Sequence, residues 1–266
     1  MKKILIAFSA IVLVSACTTN AVTGRKGINL VSNASIFPQS FAQYKEVIGS
    51  AKVETGTTNA KLVQTIGERI KYAADKYYAE KGISSQLDGY EWEFKLLQAN
   101  EINAWCMPGG KVAVYTGILP ITQNANGLAV VMGHEIGHAL ANHSAEQMSQ
   151  QYGMSVLGSV VGSAAGNASW GTAFEKYYPV VGQVGLLSYS RKMELDADLT
   201  GLYLMAMAGY DPSAAIPFWE RMSQAGSGEQ VEFLSTHPSD ATRIQKIKEA
   251  LPTALQYYNA SPYKGK

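Results

Sequence analysis

The feature that most constrains this chain is His134-Glu135-Ile136-Gly137-His138, set in a run with the pattern of a buried helix: Leu128-Ala129-Val130-Val131-Met132 precede it and Ala139-Leu140-Ala141 follow. At about 100° per residue, two residues four apart stand about 40° apart around a helix and one turn apart along it, so the two imidazoles reach the same point. Glu135 projects about 60° from His138, beside that point rather than at it. Two imidazoles so arranged suit a tetrahedral Zn²⁺ at about 2.0–2.1 Å, and a neighbouring carboxylate suits a base acting on water. The alternative, two core histidines bonded to backbone with a glutamate between them, buries polar groups at a high cost. Two of the four histidines in the chain are spent on this motif.

A third ligand must come from elsewhere. The extended three-histidine pattern is excluded, because Ser144 stands where its last histidine would be and Ala141 where its glycine would be. His143, about 180° around the same helix from His134, is expected to face away, at the surface or behind the ligands. Met193-Glu194-Leu195-Asp196-Ala197-Asp198 offers three carboxylates. Glu194 and Asp198 share a helix face, and Asp196 points the other way. With Glu194 as third ligand, Asp198 is placed to orient a ligand imidazole; otherwise the run is a solvated acidic face. Near the end stand Thr236-His237-Pro238-Ser239 and Arg243. His237 and Arg243 suit stabilisation of an oxyanion, or else Ser239 and Asp240 cap a last helix and His237 is incidental.

Composition narrows the class. The 266 residues are 47% hydrophobic, with Lys+Arg 22 against Asp+Glu 21. That balance argues against a nucleic-acid partner and against disorder. Lys2 and Lys3, the apolar run from Ile4 to Val14, and small residues before Cys17 describe an export signal too short to span a bilayer as a mature helix. Cys17 resembles the lipidated cysteine of bacterial lipoproteins, the alternative being a plain secretory signal. If Cys17 carries lipid, Cys106 has no disulfide partner within the chain. The expected organisation is a signal over 1–16, a lipidated polar tether over 17–39, a domain over 40–255 and a tail over 256–266.

Within the domain, apolar spacing predicts two helices between Ser40 and about Lys81, broken near Gly56. Strands are predicted at Trp92 to Leu97 and Val112 to Tyr115, with a hairpin or bulged edge at Pro108-Gly109-Gly110. Helices follow over Asn126–Gln151, Val180–Ala208, Pro217–Ala225 and Ala241–Leu251. The fold class is α+β, mostly helical, with one small β-sheet beside the motif helix. Gln147 to Phe174 carries no charge and has a glycine every four or five positions, which reads as a mobile segment bridging two helices, or as a membrane-dipping one.

Four blocks together carry a resemblance over about residues 40–250. These are Asn103-Ala104-Trp105 with Pro108-Gly109-Gly110 and Tyr115-Thr116-Gly117; His134-Glu135-x-x-His138; Glu194-x-x-x-Asp198; and His237-Pro238 with Arg243. The sequence resembles the zinc metallopeptidase family of HtpX-like heat-shock proteases, CAAX prenyl proteases and a mitochondrial inner-membrane quality-control protease. Its pattern is most similar to lipid-anchored bacterial members akin to the mitochondrial branch. The resemblance implies a zincin-type domain, one Zn²⁺ on His134, His138 and Glu194, Glu135 as general base and Asp198 in support. It also implies His237 and Arg243 over the metal as catalytic aids, and a substrate peptide added as a strand along Asn103, Ala104 and Trp105. In some members the loop carrying the matching histidine blocks the zinc until substrate arrives. The implied partners are polypeptide substrates, with misfolded envelope proteins the expected ones, and a membrane reached through the lipid. The implied location is the bacterial envelope, on the outer membrane facing the periplasm since Thr18 follows Cys17. A lipid-anchored chaperone or assembly factor that keeps a zinc site is the alternative function.

Overall fold

The computed structural model describes residues 17–150, 189–226, 231–237 and 241–266. The described chain opens with an antiparallel pair, β1 (Cys17–Thr19) and β2 (Lys26–Ile28). Helix α1 (Asn33–Ser50), β3 (Val53–Glu54) and α2 (Thr58–Glu80) follow. Three strands come next: β4 (Glu93–Leu97), β5 (Ala104–Met107) and β6 (Lys111–Tyr115). The rest is helical: α3 (Leu119–Thr122), α4 (Ala125–Leu140), α5 (Arg191–Met207), α6 (Ala215–Ala225), α7 (Glu232–Thr236) and α8 (Ala241–Ala260). This is the expected α+β, mostly helical architecture.

Strand alternation divides the apolar side chains between two cores. The sheet runs β3-β4-β6-β5, with β4 parallel to β6 and the other pairs antiparallel, so β5 is an edge. Phe94, Leu96, Ala104, Cys106, Val112 and Val114 face the main core, shared with α2, α4, α5 and α8. Leu97, Trp105, Met107 and Ala113 face the opposite way, into a second core closed by Tyr44 and Val47 of α1. The two-residue period of a strand puts neighbours on opposite faces. Both faces are covered, which is why β5 and β6 are buried almost throughout. On α2, Val63, Ile66, Ile70, Ala73 and Ala74 recur at three- and four-residue spacing and all are buried. Its start is capped by the Thr57 side chain, which accepts from the Ala60 amide.

The site depends on how closely α4 and α5 cross. A Cβ on Gly201 would lie 2.4 Å from the carbonyl carbon of Gly133 and 2.6 Å from the amide nitrogen of His134. A Cβ on Gly137 would lie 2.8 Å from the Ala197 carbonyl oxygen. Only backbone meets backbone along this seam, so the helices approach nearer than ordinary side chains permit. That proximity brings Glu194, about two turns before Gly201, to the His134–His138 face of α4.

Several expected boundaries move. The single helix over 126–151 is broken: α4 ends at Leu140, Asn142 takes a left-handed φ of 55°, and residues 143–150 are helical again. The polar stretch read as a tether over 17–39 is instead docked. Thr23 and Arg25 bond to Asp196, Asn20 to Thr200, and α1 already begins at Asn33. Polar residues in this stretch are spent on buried partners, a use that composition does not distinguish from solvation. The small sheet beside the motif helix is present, joined by the separate β1–β2 pair. The signal over 1–16 and residues 151–174 of the uncharged segment lie outside the described residues. Among the described residues, no helix is long and apolar enough to cross a membrane.

Candidate metal centre

His134, Glu135 and His138 sit on α4, whose start is capped by the Asn124 side chain at the Gly127 amide. Glu194 and Asp198 sit on α5, capped by Ser190 at the Met193 amide. His237 closes α7, and Arg243 lies in the first turn of α8. All seven are nearly inaccessible to solvent.

Four donor groups converge. His138 Nε2 lies 3.1 Å from His134 Nε2, which lies 3.2 Å from His237 Nδ1. Glu194 completes the set, its Oε1 3.1 Å from His237 Nδ1 and 3.4 Å from His138 Nε2, and its Oε2 3.4 Å from His134 Nε2. Donors about 2.0–2.1 Å from a central zinc stand about 3.3–3.4 Å apart in a tetrahedron, so this spacing fits the ion. Charge fits as well. Among the described residues, Glu135, Glu194 and Asp198 are buried around a single guanidinium, that of Arg243, and a divalent cation offsets the excess.

Each ligand is aimed by what stands behind it. His134 donates from Nδ1 to Asp198 Oδ1 at 3.0 Å, leaving Nε2 for the metal. Asp198 is gripped by Arg243 through Nε and Nη2, both at 2.7 Å. The same guanidinium reaches Glu194 Oε2 at 3.1 Å and stacks 3.9 Å above the Trp219 ring. Arg243 therefore braces the ligand shell from behind, which corrects the expectation that it lies over the metal as a catalytic aid. His237 does face the metal position, as a member of the donor set. Its ring stacks on Phe233 at 4.7 Å.

Electrostatics follow from burial and partners. Burial alone would raise Glu194, but His237, His134 and His138 outweigh it and hold its carboxyl far below the usual range. Asp198 is lowered in the same contest, chiefly by Arg243. Burial drives His138 well below its ordinary value, whereas Asp198 and Glu194 outweigh burial at His134 and raise it. Glu135 behaves oppositely to Glu194: burial pushes it up to about 7, only partly opposed by His237, Arg243 and the Cys106 amide that donates to it.

The sequence pattern located His134, Glu135, His138, Glu194 and Asp198, and the structure brings all five together. The pattern allowed His143 a place behind the ligands and turned Asp196 away from Glu194, but it did not pair the two. His143 is fully buried because the left-handed Asn142 turns the chain back, so that His143 Nδ1 meets His138 Nδ1 at 2.9 Å. Asp196, on the far side of α5, bonds His143 Nε2 at 3.0 Å. Tyr189 stacks on His138 at 4.0 Å. An Asn four residues past the second histidine was the available signal for the turn; nothing local pointed to the partner of Asp196.

The strand expected to receive peptide is the β5 edge, but its side chains are not free. Trp105 points into the second core, edge-on to Tyr44, so a strand added here would meet the main chain of β5 rather than this side chain. Asn103 Oδ1 accepts from the Ala104 amide at 2.9 Å, and the Phe233 amide of α7 donates to Ile102 O at 3.2 Å. Residues flanking His237 thus touch the same edge that a peptide would use.

Comparison with known proteins places these groups in context. The model of peptidase family M48 matches residues 64–251, well over half of the chain. The chain is 41% identical over 172 residues to the mitochondrial metalloendopeptidase OMA1 of Schizosaccharomyces pombe, covering 64% of this chain and 50% of that protein. It is 36% identical over 196 residues to the corresponding protein of Saccharomyces cerevisiae, covering 67% of this chain and 52% of the other. The metalloprotease YcaL of Escherichia coli is 25% identical over 207 residues, covering 76% and 77% of the two chains. The match thus spans about half the length of the yeast proteins.

Proposed function

The chain belongs to peptidase family M48, and on that premise we propose that it is a zinc-dependent metalloendopeptidase. The observation that carries the reading is Glu135. It is buried beside the four donors, its Oε1 has no hydrogen-bond partner among the described residues, and it lies 3.6 Å from His237 Nε2. A buried carboxyl oxygen left without a partner is costly and calls for a role that offsets the cost.

Zinc held by His134, His138, Glu194 and His237 would polarise the scissile carbonyl and acidify water. Glu135, with its acidity moved to about 7, is suited to taking a proton near neutral pH and returning it to the leaving amine. Asp198 and Arg243 hold His134 in the tautomer that presents Nε2. His237 is the donor on the shortest support, the five-residue helix α7. We read it as the ligand that closes the site at rest and yields its place when a peptide reaches the β5 edge.

The proposed substrates are misfolded or damaged proteins of the bacterial envelope. The proposed anchor is lipid on Cys17, at the outer membrane facing the periplasm; the residue pattern over 1–17 supports it. A second reading has an observation in its favour. Four protein ligands are the mark of structural zinc, which would suit a chaperone or assembly factor. Zinc analysis with casein digestion separates the two. Wild type should bind one zinc and cut casein, and Glu135→Gln should bind zinc and cut nothing. Equal cutting by both would remove Glu135 as the base, and a zinc-loaded wild type without proteolysis would favour the structural role.

A further inference from the structure

The two metal-facing histidines of α4 are backed in different ways. His134 leans directly on a carboxylate, Asp198, itself locked by Arg243. Among the described residues, no carboxylate stands at Nδ1 of His138, which instead has His143 Nδ1 at 2.9 Å. Two imidazole nitrogens facing each other form a hydrogen bond only if one carries the proton and the other a lone pair. The neighbour that decides which is Asp196, whose Oδ2 lies 3.0 Å from His143 Nε2. A carboxylate accepts, so Nε2 of His143 carries the hydrogen and a neutral ring then has its lone pair at Nδ1. His138 must donate from Nδ1, and its own lone pair is left at Nε2, the atom that faces the donor set.

Asp196 is in turn held by the N-terminal segment. Arg25 Nε donates to Asp196 Oδ2 at 2.7 Å, and the Thr23 hydroxyl donates to Oδ1. Arg25 also spans to Glu146 through Nη2 at 2.5 Å and Nη1 at 3.2 Å. The segment is built for this placement. Asn20 Oδ1 accepts from the Val22 and Thr23 amides, and Asn20 and Arg25 close a turn through main-chain bonds. Gly24 adopts φ 75°, and Asn20 Nδ2 anchors the turn on Thr200, one helical turn from Asp196.

We propose that Arg25 is a positioning residue for the metal centre: acting through Asp196 and His143, it sets the tautomer and orientation of the His138 ring. The inference rests on the reading that His134, His138, Glu194 and His237 hold zinc. It makes the segment between Cys17 and Ile28 part of the site's outer support, so that each α4 histidine of the donor set has an arginine-fixed carboxylate behind it: Arg243–Asp198 for His134, and Arg25–Asp196 by way of His143 for His138. Support of this kind in metal sites is worth about 10- to 100-fold in affinity.

The test uses the full-length chain in detergent, with zinc affinity measured by chelator competition and imidazole tautomers read by ¹⁵N NMR of histidine-labelled protein. Arg25→Met should weaken zinc binding about 10-fold or more. It should also remove the uniform Nδ1–H, Nε2-ligated signal of His138. Asp196→Asn should do the same, and the double variant should be no weaker than the worse single, because both act on one chain of contacts. Arg25→Lys should recover part of the loss. Thr23→Val, which keeps every charge, should give a smaller loss of the same kind and serves if Arg25→Met does not fold. A Met variant with wild-type affinity and an unchanged His138 signal would overturn the proposal, as would losses that add. Failure of the wild type to bind zinc would instead overturn the metal-site reading, and this inference with it.

Discussion

Replacing Glu135 by Gln should stabilise the metal-free protein increasingly above pH 4.5, and most fully above about pH 7. The cause is the burial of a carboxyl that lacks a partner for Oε1, which moves its acidity from 4.5 to about 7. Below the unfolded value, folded and unfolded chains both carry the proton and the charge costs nothing. Between 4.5 and about 7 the unfolded chain ionises while the folded one keeps its proton, so stability falls as pH rises. The fall is complete above the folded value. At about 1.4 kcal/mol per pH unit, the full loss is about 3 kcal/mol. Gln has the same shape without the charge and escapes this loss. Thermal unfolding with a chelator present, at pH 5 and pH 8, should therefore show the advantage of Gln growing by about 2–3 kcal/mol, roughly 4–12 °C in Tm for a domain of this size. The paired comparison cancels every other titrating group. An advantage that is the same at both pH values would refute the reasoning, because it would mean that Glu135 is ionised without cost in the folded chain. Zinc should reduce the effect, since a nearby dication favours the carboxylate.

Gly201→Ala should push α5 off α4, since the added methyl meets the Gly133 and His134 backbone. We expect a loss of about 1–3 kcal/mol in chemical denaturation and weaker zinc binding in the same protein; an unaltered zinc affinity would show that the helix spacing does not control the site. Asp198→Asn should weaken zinc about 10- to 100-fold by chelator competition, because an uncharged amide keeps one acceptor oxygen where two now serve His134 and Arg243, and turns an NH2 donor toward one of their N–H groups.

The site was legible in unequal parts, and the division has a physical basis. His134, Glu135 and His138 are neighbours on one helix, and helical geometry alone converts their spacing into a shared direction. Glu194 and Asp198 were legible for the same reason, as residues one turn apart on a second helix. The sheet was legible because the alternation at Trp92 to Leu97, the short apolar run at Val112 to Tyr115 and the Pro108-Gly109-Gly110 turn act over a few residues. What failed was every inference that treated a polar residue as solvated or an apparent helix as unbroken. Thr23 and Arg25 look like tether residues, yet they meet Asp196, some 170 positions away, inside the protein. His143 does stand behind the ligands, one of the two places expected for it, but it arrives there because the left-handed Asn142 ends the helix and returns it to His138.

Helical periodicity and strand alternation thus settled in advance the α+β class, the motif helix and which side chains share a face, because these are local consequences of backbone geometry. Tertiary structure alone decided the rest. The glycine seam between α4 and α5 sets the distance at which Glu194 meets the histidines. Packing turned Arg243 to the back of the shell and His237 to the front. Docking of the N-terminal turn gave Asp196 its arginine. Those outcomes depend on excluded volume and on pairing buried charges between segments far apart in the chain, and no local pattern of residues encodes which distant partner will be there.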